Sequence, residues 1–88
     1  RFEKNIKINE SINFDKNRNL ITVETVDSSG LLANIAKVFF ENKVSIHSAR
    51  INTLGERVED TFEIENFNKK LVPNYKIKKI VSKLKKVV

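Results

Sequence analysis

The 88-residue chain contains no cysteine, methionine or tryptophan, one proline, two glycines and one histidine. Without cysteine there is neither a disulfide framework nor thiolate chemistry, a composition that fits a reducing cytoplasm, the expected compartment. The lone His47 has no second histidine or thiolate with which to build a metal site or an assisted nucleophile. No apolar run approaches the roughly 18 residues of a membrane-crossing helix, and no basic, then apolar, then small-residue leader is visible within these residues. The sequence opens on Arg1 instead of Met and is read as a segment of a larger polypeptide.

What is present suits one small domain. Apolar residues make up 40% and charged residues 32%, with six Phe, enough apolar mass for a core and too much for a disordered tail. The net charge of +6 is local, because residues 66–88 hold eight Lys and no acid. A single domain over 1–88 is expected, with a leading strand at about 5–14 and the remainder over about 20–88.

Ile6, Ile8, Ile12 and Phe14 alternate with polar residues, which predicts an extended segment with one buried face. The turn formers Asp15-Lys16-Asn17-Arg18-Asn19 lead into the β-branched run Leu20–Val26, so the two segments form a hairpin. Leu32, Ile35, Ala36 and Phe39 then recur at helical spacing, predicting a helix over 29–42 that Asp27 or Ser28 caps. In Val44–Leu54 the apolar parity switches from even (Val44, Ile46) to odd (Ala49, Ile51), which predicts a bulge near Ser48. Gly55-Glu56 turns this strand into Arg57–Glu65, and Ile77, Ile80, Val81 and Leu84 mark a closing helix backed by lysines. The order ββαββα predicts an α+β sandwich, one antiparallel sheet with both helices on one face.

No nucleophile with a base, carboxylate pair or three-ligand metal set assembles in this pattern, so neither catalytic residues nor a metal is expected. Glu56, Glu59 and Asp60 cluster at the second hairpin, where turn solubility and cross-strand pairing explain them. The Lys-rich last helix offers the electrostatic footprint of a surface for an acidic domain or nucleic acid. Sheet-based RNA binders of this strand order, however, stack bases on central-strand aromatics, and Leu20–Val26 has none.

The stretch Asp27-Ser28-Ser29-Gly30-Leu31-Leu32 is open to two readings. In one, Asp27 caps the helix and Gly30 permits close helix–strand packing. In the other, the exposed amides and positive end of the helix seat a carboxylate or phosphate, and Asp27 accepts an ammonium group beside it.

The pattern D-x-x-G-L-L before a helix, then V-S-I and a bent strand, resembles the ACT domain, a small amino-acid-sensing regulatory module of ferredoxin-like fold. The run Ala49-Arg50-Ile51-Asn52-Thr53-Leu54-Gly55-Glu56-Arg57-Val58-Glu59-Asp60-Thr61-Phe62 sharpens the match. It is similar to the last ACT domain of bifunctional enzymes that add uridylyl groups to, and remove them from, the nitrogen signal protein PII. Where the family usually has D-R-P-G, this chain has Asp27-Ser28-Ser29-Gly30, whose serines keep hydrogen-bonding and capping capacity. The resemblance implies that the leading strand replaces the usual last strand. It implies a non-catalytic glutamine-binding domain that controls a uridylyltransferase/uridylyl-removing enzyme, whose Mg2+ lies elsewhere in the polypeptide. The implied ligand-binding residues are Thr25, Asp27, Ser28, Ser29, Gly30, Leu31, Ser45 and His47. The implied partners are a second ACT domain, as a dimer or tandem copy, the catalytic domains and PII.

Overall fold

The computed structural model describes residues 5–88. Strand β1 (Lys7–Asn13) and strand β2 (Arg18–Val26) pair antiparallel from Lys7 opposite Glu24 to Asn13 opposite Arg18, and Asn17 takes the left-handed conformation in the turn between them. Helix α1 (Leu31–Glu41) follows, then strand β3 (Val44–Leu54), strand β4 (Arg57–Asn66) and helix α2 (Asn74–Val87). The sheet runs β1-β2-β4-β3 with every pair antiparallel, the expected ferredoxin-like ββαββα arrangement.

Strict alternation places Ile21 and Val23 of β2 and Val58, Phe62 and Ile64 of β4 on one face of the two central strands. The helices cover that face with Leu31, Ile35, Val38 and Phe39 from α1 and Ile77, Ile80 and Leu84 from α2. The opposite face is polar, and cross-strand pairs knit it together: Arg18 donates to Glu63 at 2.6 Å, Arg57 to Glu24 at 3.2 Å, and the Thr22 and Thr61 hydroxyls meet at 3.1 Å. The hydrogen bond from Arg18 pulls the Glu63 carboxyl below its ordinary range.

The parity switch in β3 is a real bulge, with the register shifting between Ile46 and Ser48 so that His47 is the extra residue. The alternation in the leading strand is only half used. Ile6 and Ile8 pack on the core, whereas Ile12 is partly exposed and Phe14 is 82% exposed. Phe14 sits in the turn, beyond the last paired residue of β1, where alternation no longer points a side chain at the core.

Asn19 is buried on the core face, and its Oδ1 accepts the Val72 N–H at 2.8 Å, tying the segment before α2 to β2. Asn19→Ala strands that amide and is expected to cost about 1–3 kcal/mol, read from the urea midpoint at unchanged slope.

Candidate ligand cavity at the start of helix α1

Helix α1 begins without a side-chain cap. Gly30 occupies the N-cap position with φ 78°, and the chain reaches it through a turn in which the Leu31 N–H bonds the Ser28 carbonyl at 3.2 Å. Asp27 and Ser28 therefore do not cap the helix as expected. They lie three and two residues before the N-cap, and the Asp27 backbone is held instead by its N–H bond to the Glu56 carbonyl, 3.0 Å. Close packing does not explain Gly30 either, since a Cβ built there meets nothing within 4 Å. The glycine is required by its positive φ.

Of the first four helical amides, Leu31 bonds Ser28 and Asn34 bonds Gly30 at 3.0 Å, leaving the Leu32 and Ala33 N–H groups without an acceptor in the turn. Both residues line a cavity of about 330 Å³ between the start of α1 and strands β3 and β4. Asp27, Ser28, Gly30 and Leu31 line it too, so four of the expected ligand residues converge there. Thr25 is wholly buried next to it, opposite the cavity residue Val58, and its hydroxyl has no hydrogen-bond partner.

The other expected residues lie elsewhere. Ser29 is exposed on the turn. Ser45 borders a separate apolar hollow with Phe40, Ile46 and Phe67. His47, on the bulge, reaches Glu65 at 2.6 Å across the polar face of the sheet. One copy of the chain thus brings neither Ser45 nor His47 to the cavity.

The residue missed is Asp60. Grouped by sequence with Glu56 and Glu59 as a hairpin charge, it is 1% exposed, lines the cavity, and has a carboxylate Oδ1 without a partner. Burial, reinforced by the Asp27 charge, raises its pKa above the ordinary carboxylate value. The signal was its parity, since Asp60 alternates in phase with Val58, Phe62 and Ile64, the buried set of β4. The cavity consequently combines two carboxylates with a helix end presenting free amides, opposite polarities a few residues apart.

No protein-family model matches the chain. Among curated proteins it is similar to the bifunctional uridylyltransferase/uridylyl-removing enzyme of Psychrobacter cryohalolentis, 38% identical over 85 residues, which are 92% of this chain and 9% of the relative. The enzyme of the same name from Acinetobacter baumannii is 38% identical over 80 residues, 91% of this chain and 9% of that protein. That from Cupriavidus metallidurans is 56% identical over 46 residues, 52% of this chain and 5% of that protein. The chain therefore matches a domain-sized segment of these enzymes and spans about 9% of the length of the first two.

Proposed function

We propose that this chain is a regulatory amino-acid-binding domain of the ACT type, that its ligand is glutamine, and that it controls uridylyl transfer to and removal from PII by a cytoplasmic enzyme. In this reading the transfer chemistry, its Mg2+ and the docking of PII belong to other parts of that polypeptide. The observation that carries the proposal is the double polarity of the cavity. An amino acid is a zwitterion: its carboxylate suits the free Leu32 and Ala33 amides at the positive end of α1, and its ammonium group suits the acidic wall.

Response to the ligand then follows from β3. It is an outer strand, so its outer edge is free to pair with a second domain of the same kind. Such pairing adds the neighbour's Ser45 and His47 to the residues available around the ligand and couples binding to the relative position of two domains. A ligand held this way favours one arrangement of the pair, by as much as its affinity differs between arrangements.

The test is calorimetry and thermal unfolding with glutamine, on this domain, on a tandem pair and on the full natural polypeptide. Glutamine at 100 times its dissociation constant is expected to stabilise the binding form by about 2.7 kcal/mol. Absence of heat and of stabilisation in all three would reject the sensing function.

A further inference from the structure

We propose that Asp60 is the residue that holds the ligand's ammonium group, making the cavity selective for amine-bearing acids over their 2-oxo acid counterparts. This rests on the amino-acid-binding function above and assigns the cation-holding role to a β4 side chain.

The surroundings of Asp60 define what it lacks. Across β2 it faces Val23, with the unpartnered Thr25 hydroxyl on the diagonal, and across β3 it faces Ile51. From α1 the cavity wall is Leu31, Leu32 and Ala33, and no acidic residue stands in the first turn of that helix. The one charged side chain acting on Asp60 from the walls is Asp27, and it is of the same sign. A carboxylate buried among apolar walls beside a like charge carries a desolvation penalty that protonation or an incoming cation offsets. Among the described residues no three metal-ligating side chains come together, so the pair falls short of a built metal site. An organic ammonium group needs only what lines the cavity: the Asp60 carboxylate as acceptor, with Asp27 as a second negative charge beside it, and an opening wide enough to admit it.

Burial and the Asp27 charge raise the Asp60 pKa, so at pH values below it the entering cation must displace a proton, whereas above it the carboxylate is already charged. Affinity is therefore expected to fall as pH drops through the raised pKa of Asp60, by about tenfold per unit below it. Asp27 tunes this value through its charge. Glu65 and His47 pair with each other on the opposite face of the sheet.

The experiment titrates the full natural polypeptide and its Asp60→Asn variant with L-glutamine, the other common L-amino acids and the 2-oxo acid counterpart of glutamine, across pH. The wild type is expected to bind the amine-bearing ligand with the pH slope described and to reject the 2-oxo acid. Asp60→Asn is expected to weaken binding at least about thirtyfold, the loss typical when one member of a buried charge pair is removed, and to abolish the slope. The unliganded variant should melt no lower than wild type at neutral pH. A raised folded-state pKa destabilises the fold above that pKa and not below the ordinary carboxylate range, so Asn removes a penalty. Unchanged affinity and slope in Asp60→Asn overturn the assignment and leave amino-acid binding standing. No binding of any amino acid by the wild type overturns both. Should the variant not fold, the wild type's pH slope and its choice between glutamine and the 2-oxo acid decide, equal binding of the two at every pH being the overturning result.

Discussion

Phe39→Ala is expected to remove about 3–5 kcal/mol of stability, a large share of the roughly 5–15 kcal/mol available to a typical domain. Phe39 is fully buried on the inner side of α1, and its ring meets that of Phe62 on β4 edge-on, with centroids 5.3 Å apart and planes at 67°. The pair joins the first helix to a central strand, so truncation leaves a cavity between two elements that cannot close independently. The adjacent Phe40 supplies the control. It is 72% exposed and turns outward against Phe67, so Phe40→Ala should move the urea midpoint of the monomer little, within about 0.5 kcal/mol. A loss below about 1 kcal/mol in Phe39→Ala would contradict this account of the core.

Ile46→Lys is expected to abolish self-association and, with it, most of the response to glutamine. The outer edge of β3 runs for eleven residues with Arg50 and the bulge histidine as its ionisable side chains and no proline to block pairing. Along it, Ile46, Ile51, Leu32 and Phe40 form an exposed apolar strip beside the start and outer side of α1. In the proposed pairing a second copy is expected to cover this strip and extend the ladder, whereas a lysine within it would place an unpaired charge against apolar surface. Sedimentation over a range of concentrations, with and without glutamine, checks the expectation: a concentration-dependent dimer for wild type and a monomer for the variant. A wild type that stays monomeric throughout, with ligand affinity unchanged in Ile46→Lys, would rule out the shared arrangement.

Most of the architecture was legible because it depends on period and parity alone. The alternation of β2 and β4, the helical spacing of Ile77, Ile80 and Leu84, and the change of phase at His47 each have a single geometric solution. The start of α1 was less legible because two residue preferences competed there. Asp27 and Ser28 are good capping residues, yet Gly30 takes the N-cap position because its backbone alone adopts φ 78° without strain. Asp60 was hidden by its neighbours. Glu56 and Glu59 made a charged hairpin the simplest account, although Asp60 shares the buried phase of its strand, and burial of a carboxylate is a property of the assembled sheet. The alternation of β1 overstated its burial, since Ile12, on an outer strand, borders an open hollow beside Asn74 and Ile77 of α2 and stays 38% exposed.

Supplying the fourth strand from the front of the chain also shapes how the domain assembles in time. β1 reaches its place through a four-residue turn, and β3 meets β4 across Gly55-Glu56, so both outer strands arrive as local hairpins with little loop to close. The remaining ladder, β2 against β4, joins partners 33 residues apart at Glu24 and Arg57 and 45 apart at Arg18 and Glu63. The slow event in folding is thus concentrated in one central seam, formed by the two strands that carry the core and, at its end beside α1, Thr25 and Asp60. β4 belongs both to this seam and, through Val58 and Asp60, to the cavity wall, so a substitution on that strand is expected to leave two separable signatures, one in the refolding rate and one in the affinity of the finished site.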